Sequence, residues 1–485
     1  MGSAPEYWLT RLMLQRGLAL IYLIGFLVAV NQFRPLCGER GLLPAPQFMR
    51  ETPFREAPSI FYLFPNDHAF AIFGWIGVLL AVVALSGFSE RFGQWVSVAV
   101  WALMWVIYLC FVNIGQTFYG FGWESMMLES GFLAIFLGSA DVPPQAIVIW
   151  LFRWVLFRVM FGAGLIKLRG DPCWRDFTCL NYHFETQPMP NPLSWYFHWL
   201  PEWVHKAGIG FNHLAELVAP FLSFAPQPVA AIAGATMILF QASIMVSGNF
   251  SWLSLLTIIL GFSTFSDAQL SRVLPITLPQ MVSPPQIHVA AIYVLAVLVI
   301  ILSIKPVLNL ISSRQIMNTS YSPLQLVNTY GAFGSITRER FEIVIEGTED
   351  AVPTAGTKWK EYEFKGKPGD PAKMPPQIAP YHLRIDWLMW FAAMPSLYYD
   401  PWFIHLLERL LQGDQPTLGL LKGNPFPTAP PRLVRALHYR YRFTTPEERQ
   451  RTGLWWHREL AGIYFPPVSL NSADFQKLLR QLGYD

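Results

Sequence analysis

Residues 287–304 read IHVAAIYVLAVLVIILSI, a run without a single Asp, Glu, Lys or Arg. A stretch of this length crosses a hydrocarbon core of roughly 30 Å as a helix. A single segment has no other choice there, because every backbone N–H and C=O needs a partner within the segment. Residues 69–87 form a second such run. Further apolar segments lie at 12–30, 95–113, 123–139, 144–164, 208–225, 228–247 and 250–264. The pattern predicts a polytopic α-helical membrane domain of about eight or nine spans. Three of the segments are weaker. Residues 123–139 carry Glu124 and Glu129, 208–225 carry His213 and Glu216, and 250–264 is short. These are expected inside the bundle, away from lipid.

Charge is spread unevenly. Residues 1–330 hold 31 charged side chains and residues 331–485 hold 36. That step predicts a membrane domain over 1–315, with an extramembrane loop at 165–207, a linker over 316–332, and an extramembrane α+β domain over 333–485. In the tail, Phe341–Ile345 and Leu437–Phe443 alternate apolar and polar residues as strands do. Residues 401–413 have helical spacing between Pro401 and Gly413. The expected product is a small sheet or sandwich with packed helices. Arg11 and Arg16 favour a cytoplasmic N-terminus. An odd number of spans then places the 165–207 loop and the tail on the periplasmic or luminal side. The first apolar segment lacks a small-residue cleavage site and is expected to stay as a span.

Net charge is +3, with no basic run, so nucleic acid is not an expected partner. No Ser-His-acid arrangement, phosphate loop or complete metal motif is found. The candidate polar residues are instead those placed where charge is costly. Glu124 or Glu129 is expected to pair with Arg153 or Arg158 between helices, or these groups line a proton path or polar cavity. His213 and Glu216 share a helix face. They suit a hydrogen bond better than a metal site, which needs more ligands. Lys167 either snorkels to the interface or is buried as a base. The loop 165–207 combines Arg169, Asp171, Arg175, Asp176, His183 and Glu185 with prolines and aromatics. Its charges are expected to satisfy one another in an ordered cap. Cys173 and Cys179 are either a disulfide or two buried thiols.

The stretch GLIKLRGDPCWRDFTCLNYHFETQPMPNP (164–192) resembles the signature of the lipase maturation factor family. The resemblance continues through GWESMMLESGFLAIFL (122–137) and LVNTYGAFGSITRERFEIVIEGTED (326–350), and covers nearly the whole chain. It implies a multi-pass membrane protein whose C-terminal domain is luminal or periplasmic. It also implies a role in folding secreted clients such as lipases. Short loops and the lack of an evident retrieval tail point to a bacterial inner membrane, with the endoplasmic reticulum as the eukaryotic equivalent. A fainter similarity links FGAGLIKLRGDPCW (161–174) to the vitamin K-dependent carboxylase superfamily. It implies Lys167 as a base, and an enzyme reading would set His213, Glu216 and Arg158 around it. Two functions follow. One is a folding factor, which calls for no cofactor and has secreted proteins and membrane lipids as partners. The other is a membrane enzyme acting with a bound lipid or quinone-like molecule.

Overall fold

The computed structural model describes residues 6–394 and 399–482. The N-terminal region is a helical bundle. Its passes are α1 (Trp8–Cys37), α2 (Asp67–Ser86), α3 (Gln94–Ile114), α4 (Gly122–Ala134) and α5 (Ala146–Arg169). They continue as α6 (Glu202–His213), α7 (Val229–Ser247), α8 (Leu253–Gly261) and α9 (Gln286–Leu302). Among the described residues, 6 helices are long and apolar enough to span by themselves: α1, α2, α3, α5, α7, and α9 with its continuation to Ile311. The three weak segments are the short or broken ones. Helix α4 has 13 residues, α8 has 9, and α6 runs into a π-helical turn at Leu214–Val218.

Contacts define two ends of the bundle. At one end the Trp8 indole donates to the Ala140 carbonyl at 2.7 Å, Gln94 meets the His288 ring at 3.1 Å, and Arg153 donates to the carbonyls of Ser263 (2.8 Å) and Ser223 (3.2 Å). At the other, Gln116 donates to the Leu43 carbonyl at 3.0 Å, Asn191 to that of Val246 at 2.9 Å, and Trp252 to that of Trp123 at 3.2 Å. The chain therefore runs back and forth between these ends along α1 to α9. Arg11 is buried and donates to the carbonyls of Ser139, Ala140 and Val142, while Arg16 pairs with Glu90. Arg11 is thus used inside the protein, and Arg16 is half-buried in its ion pair, so neither is a free flanking charge.

Residues 316–332 hold a two-stranded ladder, β1 (Thr319–Ser320) with β2 (Asn328–Thr329), and bury Asn328 and Tyr330 against the bundle. The C-terminal domain follows. Its four-stranded antiparallel sheet has the order β4-β3-β5-β6: β3 is Arg340–Thr348, β4 Lys360–Glu361, β5 Leu433–Phe443 and β6 Trp456–Val468. Helices α10 (Arg384–Ala392) and α11 (Pro401–Gln412) pack on it. Helix α11 starts at Pro401 and ends at Gly413, whose φ of 66° is the left-handed cap position glycine fills. Alternation in β3 predicts one wet face, yet Arg340, Glu342 and Glu346 are all buried. Their charges are paired: Glu342 holds Arg340 and also Lys367 at 2.9 Å, and Arg435 holds Glu346 at 2.7 Å.

Candidate binding site at the junction of bundle and domain

The C-terminal domain sits on the bundle end that carries the 165–207 segment. Arg384, at the start of α10, enters the bundle and donates to Glu124 at 2.7 Å and to the Phe118 carbonyl at 2.6 Å. Its guanidinium lies 3.5 Å from the Tyr119 ring centroid. Tyr108 donates to the second Glu124 oxygen at 2.6 Å, and the Arg384 N–H donates to Gln32 at 3.0 Å. Glu129 pairs with Arg158 and also accepts from the Tyr330 hydroxyl (2.7 Å) and the Asn328 N–H (3.0 Å). Of the glutamate–arginine pairings left open by the sequence, Glu129–Arg158 is the one present. The partner of Glu124, however, is Arg384 of the other domain, and Arg153 has carbonyls and the Tyr7 hydroxyl in place of a carboxylate.

The 165–207 segment is a lid between the two parts. Cys173 and Cys179 are joined as a disulfide, with Cα atoms 4.8 Å apart. The lid's charges do not satisfy one another as expected. Asp171 pairs with Arg338 at 2.8 Å, Arg169 meets Gln315 at 2.8 Å, and Glu185 accepts from the Phe443 N–H at 2.7 Å. Arg175 and Asp176 are exposed, and no ion pair joins either to the other lid charges among the described residues. The reason is that the lid faces a neighbour: its polar groups are used on the C-terminal domain. Arg340 donates to the Glu185 carbonyl at 3.1 Å and the Pro188 carbonyl at 3.0 Å, and the Trp195 indole donates to the Thr444 carbonyl at 2.8 Å. His183 lies against Phe250 and Phe333, and burial, then the Lys167 charge, pushes it down to about 4.

Lys167 does not snorkel. It is 5% exposed, and its ammonium donates to Glu216 Oε1 (2.6 Å), Glu216 Oε2 (2.8 Å) and Asn212 Oδ1 (2.9 Å). Asn212 closes the cluster by donating to Glu216 at 2.8 Å. Gly164 permits it: a Cβ there would sit 2.7 Å from Leu217 Cδ2 and 3.0 Å from Glu216 Cβ. His213 is not part of the cluster. Its Nε2 bonds the Trp174 carbonyl at 3.0 Å instead, so the shared helix face expected for His213 and Glu216 is split across the π-helical turn. An ammonium whose three hydrogens are all bound is an ion-pair partner, not a free base.

Beside this cluster lies a cavity of about 810 Å³. Its walls come from α4, α5, α7 and α8, from residues 330–335, and from Trp387, Trp390 and Trp402 of the C-terminal domain. Sequence reasoning missed Arg384, Arg340, Asn212 and Asn328. A charge flanked by apolar residues in PYHLRIDWLMW was the available signal for Arg384.

The chain matches the family model described as the lipase maturation factor transmembrane domain over residues 9–272, and that of the C-terminal domain over 326–466. It is 43% identical to human lipase maturation factor 1 over 96% of this chain and 88% of the relative. The bovine protein of that name is 42% identical, over 96% and 90%. Human lipase maturation factor 2 is 28% identical, over 98% of this chain and 85% of its own. No solved structure matches the chain. The comparisons do not show the fainter similarity to the carboxylase superfamily. With both family models matched in order and relatives aligned nearly end to end, the chain belongs to the lipase maturation factor family.

Proposed function

We propose that the protein is a membrane-anchored maturation factor that assists the folding or assembly of secreted proteins, lipases among them. On this reading the C-terminal domain faces the periplasm of a bacterial inner membrane, or the lumen in an endoplasmic reticulum membrane. The similarity to lipase maturation factor 1 supports the maturation role. The observation that carries client binding is the edge strand β6. It is 13 residues long and pairs with β5 on one side only. Leu460 and Ile463 are 61% and 67% exposed. Edge strands present unpaired backbone groups that another chain can extend, which is a recurring mode of peptide recognition. Pro466 and Pro467 blunt only its far end. Among the large aromatics of the domain, Trp387, Trp402, Trp455 and Trp456 are buried in the core and Trp390 is half-buried, so they do not form an exposed docking face.

The test co-expresses the protein with a secreted lipase and measures co-purification and secreted lipase activity. Leu460→Lys with Ile463→Lys should lower both while membrane levels of the factor stay constant. Undiminished capture by this variant would remove β6 from the account. Failure of the wild type to capture or raise any secreted lipase would remove the reading itself. Nothing supports the enzymatic reading beyond the presence of Lys167, whose ammonium is engaged by Glu216 and Asn212.

A further inference from the structure

Between the short helix Asp267–Leu270 and α9, residues 271–285 cross the bundle end opposite the lid with neither helix nor strand. The strap is fixed at both ends. Leu270 packs with Trp8 and Leu9, and the Val282 N–H donates to the Asp141 carbonyl at 2.8 Å. Its composition is not that of a turn in water, since Arg272 is the only charged side chain in it. Val273, Ile276, Leu278, Met281 and Val282 are all exposed, Val273 to 77%. A contiguous apolar row of this kind marks a contact surface. The neighbouring turn repeats the pattern. Phe88 and Phe92 are exposed on either side of Arg91, and the Ala140 N–H donates to the Glu90 carbonyl at 3.3 Å, so the 139–141 loop joins turn and strap. Glu90 is taken by Arg16, and neither Arg91 nor Arg272 has an ion pair among the described residues.

Two observations identify the partner. The strap runs directly into a lipid-facing surface: Ile287, just beyond it on α9, is 67% exposed. With its continuation α9 has 26 residues, about 39 Å of helix against a hydrocarbon core of roughly 30 Å. Its apolar surface therefore reaches past the core into the headgroup layers. The backbone sets the depth of the strap. From Thr277 to Met281 no backbone N–H finds an acceptor in the protein among the described residues. Hydrocarbon does not tolerate such a backbone, whereas headgroups and their water supply acceptors. Only the interfacial layer accommodates both the apolar side chains and the open backbone. We propose that residues 271–285 and the 88–92 turn form an interfacial anchor in the leaflet opposite the lid, with their apolar side chains among the upper acyl chains and Arg91 and Arg272 on lipid phosphates. Arginine suits phosphate through its planar fork of donors. The anchor concerns neither the client nor β6, so it stands apart from the maturation reading.

The test uses the full-length protein in nanodiscs of phosphatidylethanolamine and phosphatidylglycerol. Nitroxide labels are placed on Phe92→Cys, Ile276→Cys and Leu278→Cys, with Glu447→Cys in the C-terminal domain as the reference in water. Cys37 and Cys110 are buried and do not compete for label. Collision rates are read with oxygen, which concentrates among acyl chains, and with a water-soluble nickel chelate. At 92, 276 and 278 the oxygen rate should exceed that at 447 and the nickel rate should fall below it. Nickel rates equal to that at 447 would place the strap in water and overturn the anchor. Low rates with both reagents would mean that a protein surface, a second copy or another chain, covers it, and would overturn the anchor equally. In Arg91→Gln with Arg272→Gln, the label at 276 should regain nickel collisions. An unchanged rate there would overturn the phosphate contacts.

Discussion

Lys167 lies two residues before the end of α5, where a snorkelling lysine and a buried one have the same sequence context. What separates them is Gly164, one turn earlier, which lets the π-helical turn bring Glu216 against α5. Removing one partner of such a pair strands a buried charge, at a cost of about 3–5 kcal/mol. Lys167→Met should therefore lower unfolding stability in detergent by that order, and Lys167→Met with Glu216→Met should recover most of it. Unchanged stability of the single variant would contradict the ion-pair role. That a glutamate of 123–139 meets an arginine of 144–164 was legible because both charges fall within apolar segments, though not that the pair is Glu129–Arg158. The Glu124–Arg384 pair was not, since its members are 260 positions apart and no local period links them.

The lid and the sheet differ in how plainly they could be read. Clustered prolines, paired cysteines and interfacial aromatics marked 165–207 as ordered, yet its partners could not be read, because they are backbone carbonyls and side chains of a distant domain. Strands β3 and β5 showed their alternation. Strand β6 did not: Gly462, adjacent apolar residues and two prolines break the period, and its pairing with β5 has register shifts. The lid also carries a pH dependence. Burial, with His205 adding, pushes His198 down to about 4, matching His183. With folded values below the ordinary histidine range near 6.5, the unfolded chain binds more protons between about 4 and 6.5. Stability is then full above 6.5 and is lost as pH falls through that window. Burial pushes Asp386 up to about 6, which acts in the opposite sense between about 4 and 6. Glu185 of the lid, 3.8 Å from His198, is also raised by burial and acts in the same sense as Asp386, while buried His382, held well below the ordinary histidine range, acts with His183 and His198. The histidines outweigh the carboxyls, so the unfolding midpoint should fall on acidification from pH 7 to pH 4.5. His198→Gln should flatten that slope. A midpoint that rises over this range would contradict the assignment.

At the scale of the molecule, bundle and C-terminal domain are not independent units joined by a tether. Glu124 and Glu129, both buried in α4, take partners from residues 328–330 and 384. Asn249 of the bundle holds the 376–379 segment through four hydrogen bonds of 2.8–3.1 Å. The composition step near residue 330 was a sound guide to where helices give way to a sheet. It could not show that the first buried charges of one part are completed by the other, because composition carries no information on contacts. The same interlocking walls the cavity on several sides and leaves β6 outside it. Hydrogen exchange of the backbone amides of residues 171–199 in the full-length protein tests this most directly. The account predicts protection comparable to the bundle, extending to amides 328–330 and 384–386; exchange of the lid within seconds, like an exposed loop, would contradict it.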